Sequence, residues 1–149
     1  MIDAVLNNKD EAQASTFTRR LEAVVAFQEL PEAESLAAAN KRVANILKQA
    51  EAKGEPIANA VVGELKEPAE RALHEAIRVT SEKARPLYEK GDYTGYLKSF
   101  SVLKEPVDAF FDKVMVMVED DKLRRSRLAL LRDLREAMNR VADISKLAA

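Results

Sequence analysis

The sequence predicts an all-α fold, a helical bundle. Only four of its 149 residues are glycine. Alanine, leucine, glutamate, lysine and arginine, all good helix formers, are abundant. Apolar residues recur at three- and four-residue spacing, and no window alternates convincingly with the period of two that marks a strand.

The elements follow in order. A first long helix is expected from about Asp10 to Glu29, ending near Leu30 and Pro31, because proline disfavours helical geometry in the residue before it. Pro31 is tolerated in a first turn, so a second helix opens around it and stops at Gly54, a natural left-handed cap. Its buried stripe is Leu36, Val43, Leu47 and Ala50. Gly63 and Pro68 bracket a break after a short segment near Ile57 to Val62. A third long helix then runs from about Pro68 to Lys90, kinked or split at Pro86. Asp92 reads as the N-cap of a helix to about Lys104, Pro106 starts another to about Val118, and Asp120 or Asp121 caps the last. Val114 to Val118 is β-branched enough to tempt as a strand. It continues the spacing set by Val107 and Phe110, however, and is read as buried helix, with Met115 and Met117 packed into gaps of the core.

Length and composition bound the possibilities. A chain of 149 residues is the size of one domain, taken as residues 1–149, and can bury a core without metal or disulfide support. There is no cysteine, which excludes disulfides and thiolate metal sites and fits a reducing compartment. No apolar run approaches a membrane span, so no membrane partner is expected and the location is read as cytoplasmic. The net charge of -1 argues against coating nucleic acid by bulk charge, yet the charges are unevenly placed. Lys122, Arg124, Arg125, Arg127, Arg132, Arg135 and Arg140 crowd one C-terminal stretch, opposed there only by Asp133 and Glu136.

Catalytic signatures are scarce. The lone His74, with Glu70 and Glu75 near it, cannot supply the paired Glu-x-x-His motifs of a carboxylate metal site and reads as an ordinary helix residue. The sequence contains no phosphate-cradling glycine loop, nucleophile elbow or zinc signature. Binding chemistry is better represented. Lys41, Asn45 and Lys48 fall on one side of a helix, with Arg42 and Gln49 beside them, opposite the Val43 and Leu47 stripe. Phe110 and Phe111 point about 100 degrees apart, so the two do not both fit one narrow core stripe and one of them is available to stack. Arg124 and Arg127 are neighbours on one helical face, while Leu123, Leu130, Leu134, Met138 and Val141 face inward. Arg127 lies close to the apolar stripe, which predicts a packed stem and a free head. Each of these features has a plainer reading as a solvated face or a core pair. Taken alone, the residues leave open a helical protein–protein interaction module without RNA binding and, more remotely, a stand-alone carboxylate enzyme.

The stretch PVDAFFDKVMVMVEDDKLRRSRLALL, from Pro106 to Leu131, resembles the C-terminal anticodon-binding domain of the β subunit of bacterial-type glycyl-tRNA synthetases. It resembles more loosely the helical anticodon-binding domains of arginyl-type class I synthetases, the DALR-like family. AVL at Ala4 to Leu6, AAANKRVANIL at Ala37 to Leu47 and VADIS at Val141 to Ser145 extend the resemblance in the same order, with Ser126 standing where the family pattern usually carries Asn.

The resemblance implies a fragment of a longer chain, with Met1 not its natural start, and a role in gripping the anticodon stem-loop of glycine tRNA. It implies as further partners the rest of the β subunit and a catalytic α subunit in an α2β2-type assembly. ATP and magnesium would belong to that α subunit, and this segment would hold no cofactor and carry no catalytic residue. Glycine codons, GGN, require two consecutive cytosines in the anticodon. Asn45 and Asp112 are the candidate acceptors for the cytosine amino group, Arg42, Arg124 and Arg127 the candidate donors, Phe111 the stacking surface, and Lys41 a phosphate contact.

Overall fold

A computed structural model describes residues 14–57 and 65–147, and those residues contain helices and no strand. Helix α1 spans Ala14–Gln28; the expected start near Asp10 lies outside the described residues. Helix α2, Ala33–Ala52, opens two residues beyond Pro31. It ends where Gly54 turns left-handed, at φ 77°, and Glu55 N–H donates back to the Ala50 carbonyl at 2.9 Å. The short segment expected from Ile57 to Val62 lies outside the described residues beyond Ile57.

Helix α3, Pro68–Glu89, has proline in its first turn, and the Glu67 N–H is held by Glu70 Oε1 at 3.1 Å. Pro86 was expected to kink or split this helix. The helix is not split there and continues through Pro86 to Glu89: Pro86 sits in the last turn, and the carbonyl it deprives, on the exposed residue Glu82, can turn to water. Gly91 then reverses the chain at φ 80°. Asp92 caps α4, Tyr93–Ser99, by accepting from Gly95 N–H at 2.9 Å. Helix α4 stops earlier than its expected end at Lys104. It tightens into a 3-10 turn, Phe100–Leu103, that leads directly into α5, Lys104–Lys113, two residues ahead of Pro106.

The helix expected to reach Val118 ends at Lys113. Val114 is extended, at φ -118° and ψ 127°, and the run that follows is irregular backbone, neither buried helix nor paired strand. Its burial has a period of two: Val114 and Val116 face the core, while Met115 (71% exposed) and Met117 (40%) face out. The methionines therefore do not fill the core. Asp120 caps α6, Asp121–Met138, by accepting from Leu123 N–H at 3.1 Å, and a 3-10 turn, Ile144–Leu147, closes the described chain.

The apolar faces meet in one hydrophobic cluster to which every helix contributes. Leu36, Val43, Leu47 and Ala50 of α2 are buried as expected, as are Leu130, Leu134 and Met138 of α6 and Val141 beyond it, while Leu123 is half-exposed. Phe27, Phe100 and Phe110 are the largest fully buried side chains, each worth roughly 1.5 to 3 kcal/mol of burial. Helices α3 and α6 run side by side in the same direction: Glu70 meets Arg127 near their starts, and Tyr88 meets Arg140 near their ends.

Candidate nucleic-acid interface

The outer face of α2 presents Lys41, Arg42, Asn45, Lys48 and Gln49, all exposed. Burial of Val43, Leu47 and Ala50 on the opposite side fixes that orientation. Among the described residues, Lys41, Asn45 and Lys48 make no ion pair or side-chain hydrogen bond. A row of donors is thus left to the solvent.

Helix α5 lies against this face and divides its two adjacent phenylalanines. Phe110 is fully buried; Phe111, half-buried, meets it edge-on, with ring centroids 5.4 Å apart and an interplanar angle of 81°. The Arg42 guanidinium lies over the Phe111 ring, 4.3 Å from its centroid. These two side chains line a cleft of about 420 Å³ between α2 and α5, together with Ser35, Ala38, Ala39, Asp108 and Asp112. Asp108 is already engaged: it accepts from Lys104 Nζ at 2.8 Å and from Ser35 Oγ at 3.4 Å. The exposed Asp112 carboxylate has no partner among the described residues. The cleft therefore offers a guanidinium plane backed by an aromatic ring, small side chains beside it, and one open anionic acceptor.

The two arginines of α6 are placed differently from the expectation. The head of Arg127 is not free: the residue is 5% exposed, its Nη2 pairs with the fully buried Glu70 Oε1 at 2.7 Å, and its Nη1 donates to the Met115 carbonyl. Arg124 pairs with Glu55 at 3.0 Å and Asp121 at 2.5 Å, and donates to the Val118 and Glu119 carbonyls at 2.9 and 3.2 Å. Both guanidiniums tie the irregular run after α5 to the helices beside it, and neither joins the α2 and α5 cleft. The helical wheel shows that they share a face but not that this face is covered. Ser126, between them, is buried.

Sequence reasoning also missed buried polar residues. Asn40 is 1% exposed and exchanges hydrogen bonds with Asn139, Nδ2 to Oδ1 at 3.1 Å and in return at 3.4 Å, which joins α2 to the end of α6. The signal was present, since Leu36, Asn40, Val43 and Leu47 follow one helical stripe. Arg20, also buried, donates to the Arg140 and Val141 carbonyls at 3.0 and 2.8 Å. His74 is half-buried on α3 facing α6, and no group of acidic or histidine residues suited to a metal occurs among the described residues.

Residues 36–147, which carry the α2 face, all of the cleft lining but Ser35 and the whole of α6, match the model of the DALR anticodon binding domain. The chain belongs to that family. It is also similar to proteins named glycine–tRNA ligase beta subunit: 52% identical to that of Methylobacillus flagellatus, 53% to that of Thiobacillus denitrificans and 52% to that of Janthinobacterium sp.. Each match covers 99% of this chain but only 20 or 21% of the relative, so the chain spans about a fifth of the length of these curated relatives. In this DALR domain the expected residues Arg42, Phe111 and Asp112 come together at one cleft, Lys41 and Asn45 lie on the same helix beside it, and Arg124 and Arg127 belong to its framework.

Proposed function

We propose that this chain is the anticodon-binding part of a glycine–tRNA ligase beta subunit and that the cleft between α2 and α5 receives an anticodon base of glycine tRNA. The single observation that carries the reading is the Arg42 guanidinium stacked on Phe111 beside Asp112, which has no partner among the described residues. Single-stranded RNA loops are read by splaying bases onto aromatic or guanidinium planes and bonding their edges. A base laid on the outer face of Arg42 would extend the Phe111 and Arg42 stack by one layer. Stacking of this kind contributes on the order of 1 to 3 kcal/mol per base. Asp112 would then accept the amino group of a cytosine, and Lys41 and Lys48 would meet phosphates along the α2 face.

On this reading glycine, ATP and magnesium are handled by other parts of the enzyme, with the remainder of the beta subunit and a catalytic alpha subunit as protein partners and the cytoplasm as the place of work. The test is an anisotropy titration of the glycine anticodon stem-loop against the chain, with each anticodon cytosine changed in turn. Arg42→Ala and Phe111→Ala are expected to weaken binding, and Asp112→Asn to reduce the preference for cytosine. A chain that binds all stem-loops equally, or none, overturns the reading.

A further inference from the structure

A second cleft lies away from the one just described, between α3 and α6, with a volume of about 460 Å³. Because the two helices run in the same direction, the side chains along it can be ordered from one end to the other. His74 and Asp133 stand at one end, and Arg85 and Arg140, about three helical turns further along, at the other. Eleven residues separate His74 from Arg85, a rise of roughly 16 Å. Arg78, which also lines the first end, is held by Glu75 and Glu82, so Asp133 sets the charge there while two cations stand at the other end.

The cationic end is built on aromatic rings. The Arg140 guanidinium lies 4.2 Å from the centroid of Tyr88, and Tyr88 packs against Tyr93 and Tyr96 at 5.2 and 5.4 Å. Tyr96 also lines the cleft, its hydroxyl donating to the Ala137 carbonyl at 2.5 Å. Stacking on the ring face fixes the plane of the Arg140 guanidinium. Arg85 is exposed and has no ion pair or side-chain hydrogen bond among the described residues. The acidic groups of the cleft do not neutralise it: Glu136 is held by Arg132 at 2.8 Å, and Asp133 belongs to the far end.

A helix surface that only needed solubility would pair Arg85 at i±4, as Arg78 is paired with Glu82 at 3.2 Å two turns earlier. At Arg85 the residues four before and four after are Ser81 and Glu89, and no bond to either forms. The structure holds one cation oriented on an aromatic ring and a second left unpaired at the mouth of the same cleft.

We infer that the Arg85 and Arg140 end of this cleft binds a phosphodiester of an RNA strand, a sequence-independent contact on the same tRNA whose anticodon the α2 and α5 cleft reads. This rests on the reading of the chain as a tRNA-binding domain and adds a second, remote point of attachment to it. Asp133 at the opposite end repels phosphate, so the backbone crosses the cleft at its cationic end and does not run along its length.

The experiment titrates full-length glycine tRNA, and the same tRNA with its anticodon cytosines changed, against wild type, Arg85→Ala and Arg85→Lys over a series of salt concentrations. Arg85 has no partner among the described residues, so its replacement is expected to leave the fold intact, which a melting curve checks. Arg85→Ala is expected to weaken binding by the same factor for every anticodon and to lower the salt slope by roughly 0.7 to 0.9, the counterion release of one phosphate contact. Arg85→Lys should retain most of the slope. An unchanged affinity and slope for Arg85→Ala, with wild type binding and discriminating anticodons, overturns this inference and leaves the proposed function standing. A wild type that does not bind tRNA overturns both. In a separate arm, a 5′-mononucleotide is titrated against wild type and Arg85→Ala. Saturable binding that depends on Arg85, with tRNA affinity indifferent to it, would overturn the RNA assignment in favour of a small phosphate ligand.

Discussion

Arg127 and Glu70, 57 positions apart, form an ion pair of 2.7 Å in which neither side chain reaches solvent appreciably: 5% and 0% exposed. The pair joins the start of α3 to α6, and through the Met115 carbonyl it anchors the run that follows α5. Removing one partner strands a buried charge, a loss of about 3 to 5 kcal/mol, whereas replacing both with apolar residues of similar volume is often neutral or stabilising. Arg127→Met is therefore expected to destabilise strongly in urea unfolding, and Arg127→Met combined with Glu70→Leu to recover much of the loss. Any fall in RNA binding by Arg127→Met should follow its unfolding. Full stability with selective loss of RNA binding would return Arg127 to the interface.

The amide pair of Asn40 and Asn139 makes a separate prediction. Asn139 Oδ1 also accepts from Ile144 N–H at 3.0 Å, so the pair fixes the chain leaving α6. Asn40→Ala leaves the facing amide underserved inside the bundle and should cost about 1 to 3 kcal/mol. Asn45→Ala, on the exposed face of the same helix, should leave the melting temperature unchanged. Equal melting temperatures for the two variants would mean that water replaces the Asn40 amide.

The helices were legible where the sequence marks their ends with residues of restricted or unusual geometry. Pro68 stands at a first turn, Gly54 takes a positive φ, and Asp92 and Asp120 accept capping bonds. The run from Val114 to Val118 was misread because valine and methionine suit either period. Only contact with the core shows that Val114 and Val116 face in while Met115 and Met117 face out. Arg42, Phe111 and Asp112 could be singled out from local chemistry, and their convergence required the packing of α5 on α2. Arg127 could not be read from the sequence, since nothing near it announces a carboxylate 57 residues away.

Tyr96 links stability to alkaline pH. Burial is the main cause that raises its hydroxyl from 10.0 to about 12, opposed in part by Arg140. In the unfolded chain the phenol ionises near pH 10, so between that value and about 12 the unfolded state binds fewer protons than the folded one. The contribution is complete below pH 10 and is lost as the pH rises towards 12. Tyr96→Phe, which also strands the Ala137 carbonyl, should lower stability at neutral pH and flatten the difference from wild type above pH 10. A gap between the two proteins that stays constant across that window would contradict the assignment.

Asp120 acts at the other end of the scale. The Leu123 N–H holds its carboxyl below the usual aspartate value, with Lys66 and Lys122 also contributing. On acidification the unfolded chain takes up this proton first, so the stabilisation is present above the ordinary aspartate pKa and disappears as the pH falls through the depressed folded value. Asp120→Asn should keep the cap and lose this acid dependence. Asp120→Ala should lose both, read as a lower melting temperature already at pH 7.

Reading and gripping can be separated on the α2 face, where Lys41 and Asn45 lie one turn apart with no partner among the described residues. The Lys41 ammonium is a compact charge that can meet any phosphate, whereas the Asn45 amide can offer an acceptor and a donor to a base edge. As a hypothesis resting on the proposed function, Asn45→Ala should reduce the preference for cytosine over uracil at one anticodon position, by up to about 1 to 3 kcal/mol for a good base-edge pair. Lys41→Ala should weaken all stem-loops by a common factor and reduce the salt slope. The measurement is a matrix of dissociation constants for both variants against wild-type and single-base-changed stem-loops at fixed salt. Because Asn45 faces solvent and Asn40 carries the bundle contact, a loss of discrimination in Asn45→Ala cannot be assigned to unfolding. Equal losses across every RNA for Asn45→Ala would make it a backbone contact like Lys41 and move the reading of cytosine to Asp112.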